Sequence, residues 1–262
     1  MSRIALGVEY DGTSYVGWQR QKDGQSIQER VEAALSRVAD HPVQVTCAGR
    51  TDAGVHAWGQ VIHFDSDAPR SDRAWVLGAN SNLPQDIAVT WAKSVGDGFH
   101  ARFSALSRTY EYLILTRRAR SPLTHTRAVW TYKTLDTKAM SAAAQSLVGE
   151  HDFSAFRAAS CQAKSSHRNV QTLLVSRVPD GVIVRITANA FLQHMVRNIV
   201  GVLLEIGGGE QEPGWAEQVL ASKDRRRGGV TAPAQGLYFV QASYPEEFNI
   251  PKSRPLDLMS IS

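Results

Sequence analysis

The feature that most constrains the fold is a loop with two glycines, residues 47–56, set between two stretches in which apolar and polar residues alternate. The alternation over residues 43–47 and again over residues 61–65 has a period of two, which predicts two strands. Gly49 and Gly54 allow backbone conformations that are closed to other residues, so the loop can turn tightly and hold a few side chains in a cleft. The sequence therefore predicts a strand pair joined by a tight corner.

This corner carries one carboxylate, on Asp52, and one guanidinium, on Arg50. By itself such a loop has an ordinary explanation, in which the aspartate caps a turn and the arginine forms a surface ion pair. A catalytic role for Asp52 therefore needs support from the rest of the chain.

Composition limits the kinds of protein that this chain can be. Its 262 residues are 43% apolar and 21% charged, as in globular proteins of one large or two small domains. It has no apolar run of membrane-spanning length and no signal-peptide pattern, and its two cysteines, Cys47 and Cys161, are too few for a disulfide framework. We therefore expect a cytoplasmic protein that does not enter a membrane.

Positive charge is concentrated in the second part of the chain. Residues 1–98 contain 9 Lys and Arg against 12 Asp and Glu, whereas residues 99–262 contain 20 against 13. A basic surface favours a polyanion such as RNA or DNA, although many basic surfaces are merely solvated.

Two similar halves are predicted from the hydrophobic periodicity, each mixing strands with amphipathic helices. The first half reads as β-α-β-β-α-β, the order of the ferredoxin-like motif, and the second repeats this order with longer elements. The predicted helices are 27–39, 71–82, 137–148, 190–206 and 215–222, and the strands outside the loop region are 3–10, 87–95, 110–115, 127–133, 169–178, 182–188 and 237–243. We expect an α+β protein with halves at 1–105 and 106–246, a tail at 247–262, and a central cleft.

Other catalytic patterns are missing from the sequence. The eight histidines include no metal-binding pair on a helix, no Gly-x-Ser-x-Gly elbow occurs, and Gly207-Gly208-Gly209 follows a predicted helix instead of opening one. His56 and His63 lie near Asp52, but packed or loop histidines are more common than ligands at this spacing. Asp52 remains the leading candidate for chemistry.

Six segments resemble the TruA family of tRNA pseudouridine synthases, in the family's order and over nearly the whole chain. They are Tyr10-Asp11-Gly12-Thr13 with Gly17-Trp18-Gln19-Arg20-Gln21, residues 49–57, residues 99–105, residues 107–112, residues 191–201 and residues 232–237. The resemblance implies the pseudouridine synthase fold, with antiparallel or mixed sheets in ferredoxin- or RRM-like halves. It also implies isomerisation of uridine to pseudouridine at positions 38–40 of the tRNA anticodon arm, no cofactor or metal, and a homodimer.

Individual residues acquire expected roles from this resemblance. Asp52 matches the catalytic aspartate and Arg50 the base-flipping arginine. Tyr110 matches the tyrosine that binds the substrate, Arg197 the arginine that pairs with the catalytic carboxylate, and Leu237 the apolar wall of the uracil pocket. Without the family these three would be explained as an inward strand aromatic, a solvated helix charge and a core leucine.

The resemblance also implies which residues contact tRNA: Arg50, Arg70, Phe99, His100, Ala101, Arg102, Phe103 and Arg118. The arginines among them suit contact with the phosphate backbone, which positions RNA without reading its sequence. Residues 160–164 align poorly, and Arg225-Arg226-Arg227 has no assigned role.

Two other functions remain open at this point. One is an RNA-binding protein without catalytic activity, which the joint presence of Asp52, Tyr110 and Arg197 disfavours. The other is a metal-dependent RNA hydrolase that uses Asp52, His56 and His63, which the absence of a ligand cluster disfavours.

Overall fold

A computed structural model describes residues 1–252. Their α-helices are α1 (Ile27–Ala39), α2 (Asp72–Asn82), α3 (Thr137–Gln145), α4 (Met195–Gly207) and α5 (Trp215–Ser222). Their strands are β1 (Ser2–Tyr10), β2 (Thr46–Cys47), β3 (His56–Ser66), β4 (Ile87–Val95), β5 (Ser107–Thr116), β6 (Val129–Thr131), β7 (Gly149–Asp152), β8 (His167–Val178), β9 (Gly181–Ala188) and β10 (Leu237–Ser243). No helix in this range is both long and apolar enough to span a membrane.

Side chains at the helix starts explain why three of the helices begin where they do. Ser26 and Glu29 form a reciprocal capping box at the start of α1. Ser71 accepts a hydrogen bond from Ala74 N at the start of α2, and the Asp136 carboxylate accepts two from backbone N–H groups at the start of α3. These caps satisfy backbone donors that the first turn of a helix leaves unpaired.

The chain divides into two compact units. The first contains residues 1–108 together with the described chain from Tyr238 onward, and the second contains Thr109–Leu237. In the first unit the strand order is β4-β1-β3-β10, with β2 beside β3. Strands β4, β1 and β3 are antiparallel, whereas β10 runs parallel to β3 with Tyr238 opposite His56. Helix α2 packs on this sheet through Trp75, whose ring meets Phe64 edge-on at 5.0 Å.

The second unit has the strand order β5-β9-β8-β7, with β6 parallel to β5. Strands β8 and β9, near the predicted ranges 169–178 and 182–188, form a hairpin through Pro179-Asp180-Gly181, and Val178 pairs with Gly181 next to the turn. The apolar side of α4 is fully buried and includes Met195, Ile199 and Leu203. The predicted α+β class with mixed sheets is confirmed.

Several predicted boundaries differ from the structure. Helix α4 begins at Met195 and not at residue 190, because His194 has a left-handed backbone (φ 61°) that a helix cannot contain. Strands β2 and β6 are shorter than predicted, and β7 was missed because Gly149–Asp152 has no apolar alternation. Helix α3 ends three residues before the predicted residue 148.

From Tyr238 onward, strand β10 belongs to the first unit, whereas the predicted second half at 106–246 contains the whole strand. Its parallel pairing with β3 joins residues far apart in sequence, and hydrophobic periodicity does not reveal such a partner. Of the tail predicted at 247–262, residues 253–262 lie outside the described residues.

Candidate active site

The loop that carries Asp52 is fixed by backbone contacts with residues 15–18. Asp52 forms an isolated antiparallel bridge with Gly17, and Trp18 N donates to Thr51 O at 2.9 Å. Gly17 has a φ of +107°, and a Cβ on it would lie 2.6 Å from Thr51 O. Only glycine meets both conditions without strain. The close approach of these two segments therefore depends on Gly17.

Buried polar side chains hold the other side of the loop. The Tyr10 hydroxyl and Thr51 Oγ1 are hydrogen-bonded at 2.8 Å, and burial raises the pKa of Tyr10. The fully buried Gln60 donates from Nε2 to Gly49 O at 2.6 Å. Buried polar groups such as these are costly unless paired, so each bond selects one loop conformation.

Arg108 is a third support of the loop, and sequence reasoning did not single it out. Its Nε and Nη2 donate to Ala48 O at 3.2 and 3.1 Å, and its Nη1 donates to Ala105 O at 3.1 Å. A further bond from Nη2 reaches Arg102 O. The signal was present, because Arg108 is part of the segment 107–112 that resembles the family, yet no pattern tells a structural arginine from an RNA-binding one.

The result is a rigid loop that presents its functional side chains. Asp52 is half-buried and Arg50 is exposed, while neighbouring Thr51 and Val55 are buried. Next to the loop, His56 Nδ1 lies 3.1 Å from Asp11 Oδ1, and this hydrogen bond lowers the pKa of Asp11. The carboxylate and the guanidinium of the predicted pair thus stand on a well-supported corner.

In the second unit, Tyr110 and Leu237 are both buried. The Tyr110 ring on β5 meets the Phe191 ring edge-on, with 5.0 Å between their centroids. Phe191 lies just before α4, in the stretch that had been predicted to be helical. Leu237 is the first residue of β10.

Arg197 is held on α4 by the segment that leads to Leu237. Its Nε donates to Ala232 O at 2.7 Å, and Ala232 N donates back to Arg197 O at 3.1 Å. One turn further on, a Cβ at Gly201 would collide with Val230 O. Thr231 Oγ1 also donates to Asn198 Oδ1 at 2.7 Å. The alternative explanation of Arg197, an ordinary solvated helix charge, is therefore too simple, since the residue is half-buried and bonded to Ala232.

The residues predicted to contact tRNA differ in exposure. Arg50, Arg70, Arg102, Phe103 and Arg118 are exposed. Phe99 and Ala101 are fully buried, so their side chains shape the loop from inside. His100 is half-buried below Phe103, and the two rings are stacked at 4.3 Å. Arg70 donates from Nε to Val38 O at 3.0 Å.

Neither a metal-binding cluster nor the cleft found in the second unit coincides with these residues. Within residues 1–252, no group of three His, Cys, Asp or Glu side chains is arranged to hold a metal ion. A cleft of about 580 Å³ in the second unit is lined by residues 134–139, Arg177 and residues 206–209 and 211–213, and it contains none of the predicted site residues.

Comparison with known proteins decides the family. Residues 7–104 and 143–245 match the family described as tRNA pseudouridine synthase. The chain belongs to this family. Among its relatives named tRNA pseudouridine synthase A, the protein of Coxiella burnetii is 54% identical over 252 residues, covering 96% of this chain and 97% of that protein. The protein of Aeromonas hydrophila is 55% identical over 250 residues, covering 95% and 93%. The resemblance inferred from the sequence is confirmed.

The tRNA pseudouridine synthase match includes some of the predicted site residues and not others. Asp52 and Arg50 lie in its first part, and Arg197 and Leu237 lie in its second. Tyr110 and Arg118 fall between the matched parts. A third relative with the same name, from Hydrogenovibrio crunogenus, is 54% identical over 252 residues and covers 96% of each chain.

Proposed function

We propose that this chain isomerises uridine to pseudouridine at positions 38–40 of the tRNA anticodon arm, with Asp52 as its essential carboxylate. Membership of the tRNA pseudouridine synthase family over most of the chain carries this proposal. The local structure supports it, because Tyr10, Gln60 and Gly17 hold the Asp52 loop in one conformation. Preorganisation of this kind is what a catalytic carboxylate needs.

The reaction makes specific demands on a carboxylate. The bond between N1 of uracil and C1′ of the ribose breaks, the base rotates, and a bond forms between C5 and C1′. The C5 hydrogen is then lost and N1 gains a proton. Asp52 can act by attacking a ring or sugar carbon, or by removing a proton from the sugar.

The target uridine must leave the RNA stack before it can react. We assign this step to Arg50, whose exposed guanidinium can fill the vacated space and hold phosphate. Tyr110 is proposed to stack on uracil and to take part in proton transfer at C5, and Leu237 to form an apolar wall of the base pocket. Arg197 is proposed to keep the catalytic carboxylate ionised.

Backbone contacts with tRNA are assigned to the exposed basic side chains Arg70, Arg102 and Arg118, together with the segment from Phe99 to Phe103. Such contacts position the RNA without reading its sequence. The net positive charge of residues 99–262 supports this assignment. We further propose a cytoplasmic homodimer that works without a cofactor; the free thiols of Cys47 and Cys161 suit a reducing compartment.

Release of the C5 hydrogen tests the proposal directly. With tRNA labelled with tritium at C5 of uridine, we expect tritium release by the wild-type chain in the presence of chelator. The Asp52→Asn variant should lose at least roughly 10³-fold in rate, because the amide can neither attack carbon nor accept a proton. Its affinity for tRNA should change little. Full activity of Asp52→Asn would contradict the role of the carboxylate, and loss of activity with chelator alone would favour the metal-dependent hydrolase.

A further inference from the structure

The segment 99–104 carries two of the exposed residues proposed to meet RNA, and it is held from below by two histidine rings. Ala101 N donates to His63 Nδ1 at 3.1 Å. Arg102 N and Phe103 N donate to His100 Nδ1 at 3.2 and 3.1 Å. Three consecutive backbone N–H groups thus end on ring nitrogens, which is an unusual way to fix a loop.

These bonds define the charge state of both rings. A nitrogen that accepts an N–H bond must have a free lone pair, so neither Nδ1 can carry a proton in this conformation. A protonated imidazole has two N–H donors and would turn each of the three bonds into a repulsive contact. The conformation of residues 101–103 therefore requires that His63 and His100 are both neutral.

The surroundings favour the neutral rings at neutral pH. Burial lowers the pKa of His63 to about 4 from its ordinary value of 6.5, with help from His100 and from Arg3 on β1. Asp65 on β3 and a hydrogen bond with the Thr46 backbone act in the opposite direction. Burial also lowers the pKa of His100, aided by Arg3 and by Arg102 in the loop itself.

The same rings determine what the loop presents to solvent. Phe103 lies stacked on His100 with 76% of its surface exposed, and the Arg102 guanidinium carbon is 5.4 Å from the centre of the Phe103 ring. An exposed aromatic ring beside a cation suits contact with a nucleotide, because bases stack on the ring while the cation meets phosphate. If the N–H bonds to the rings were lost, this arrangement would lose its support.

We propose that His63 and His100 are positioning residues for RNA, whose neutral rings hold the backbone of residues 101–103 and thereby present Arg102 and Phe103 to the substrate. This inference rests on the proposed function. It assigns the histidines no part in the chemistry, so their loss should raise KM and Kd for tRNA while kcat changes little.

The dependence of RNA affinity on pH tests the inference, with a fluorescein-labelled tRNA anticodon arm as the probe at constant ionic strength. Simple electrostatics predicts tighter binding as pH falls, because protonated histidines add positive charge. Positioning by neutral rings predicts the opposite: wild-type Kd should begin to rise as pH falls below the ordinary histidine value of 6.5 and should be about tenfold higher once the pH is below the His63 pKa of about 4, the size expected when backbone N–H groups lose their acceptors.

Two variants separate positioning from a general structural role. In His100→Asn the side-chain oxygen replaces Nδ1 as acceptor and cannot be protonated, so we expect the dependence of Kd on pH to be flatter than in the wild type. His100→Leu lacks any acceptor and should bind weakly at every pH. His125→Asn, at an exposed histidine of the second unit, is the matched control and should keep the wild-type profile.

Unchanged or tighter wild-type binding at low pH would overturn the inference, as would a His100→Asn profile equal to that of the wild type. If His100→Leu fails to fold, the dependence of Kd on pH in the wild type and in His100→Asn still tests the inference. Binding of the arm without release of the C5 hydrogen would contradict the proposed function and leave the pH comparison valid.

Discussion

Two loops of the first unit present basic side chains to solvent, and they are held in different ways. The Asp52 loop is fixed by the shape of its backbone, because Gly17 fits against Thr51 O where no other residue fits. The loop of residues 99–104 is fixed by the two ring nitrogens of His63 and His100. The first restraint is steric and does not depend on pH, whereas the second depends on the protonation of two side chains. The proposed chemistry and the proposed RNA contact therefore differ in their sensitivity to the solution.

The steric restraint is broken most directly by Gly17→Ala. The new Cβ meets Thr51 O at 2.6 Å and the backbone stays at a φ of +107°, so we expect the free energy of unfolding to fall by roughly 3 kcal/mol. Tritium release should fall with it, because Asp52 is bridged to Gly17. Urea denaturation measures the change in the free energy of unfolding. Gly96→Ala is the matched control, since a Cβ there has open space and an ordinary φ; an equal loss in both variants would contradict the steric explanation.

A smaller effect should separate the two functions of the Asp52 loop. Arg50 is exposed, so Arg50→Ala should leave the fold intact and reduce the turnover number about 10- to 100-fold, because a base that is not held out of the stack returns to it. The Kd for tRNA should weaken by less than about threefold, the loss of one phosphate contact. Single-turnover kinetics and equilibrium binding distinguish the two; a defect in binding alone would remove the flipping role.

The smallest expected effect sharpens the contrast in pH dependence. The pKa of His63 is lowered in the folded protein to about 4, so the neutral ring contributes stability that is present above its ordinary value of 6.5. That contribution is lost as pH falls through the window between these two values. Urea denaturation at several pH values in this window should show that the free energy of unfolding falls less with decreasing pH in His63→Asn than in the wild type. An equal fall in both proteins would contradict the contribution of His63, because other titrating groups would then account for the pH dependence of stability.

Local chemistry made much of the fold predictable from sequence. The cap residues Ser26, Ser71 and Asp136 and the Pro179-Asp180-Gly181 turn act on their immediate neighbours, and the helices and strands beside them begin or end within two residues of the predicted positions. The start of α4 was misplaced because the apolar spacing continues back through Phe191, whose ring contacts Tyr110 from outside the helix. Hydrophobic periodicity indicates that a residue is buried, but it does not indicate whether the residue belongs to the helix or to the segment before it.

The candidate site was predictable in part, for a related reason. Asp52 and Arg50 were found because two glycines mark their loop and because the surrounding motif is specific. Gln60, Arg108 and His63 were not found as supports, since their importance comes from partners distant in sequence: Gly49 O, Ala48 O and Ala101 N. Their residue types alone suggested surface or packing roles. Distant partners of this kind become visible only in the folded chain.

The pairing of β10 with β3 affects how this protein is made on the ribosome. Tyr238 and Phe239 lie beside His56 and Ala57, the residues that directly follow the Asp52 loop. During synthesis, this side of β3 stays without its neighbour until β10 (Leu237–Ser243) has been made, about 170 residues after β3 ends at Ser66. An unpaired strand edge can join with other chains, so the nascent first unit passes through a period of exposure to aggregation. A chain cut short before β10 should therefore leave the edge of β3 beside His56 and Ala57 unpaired.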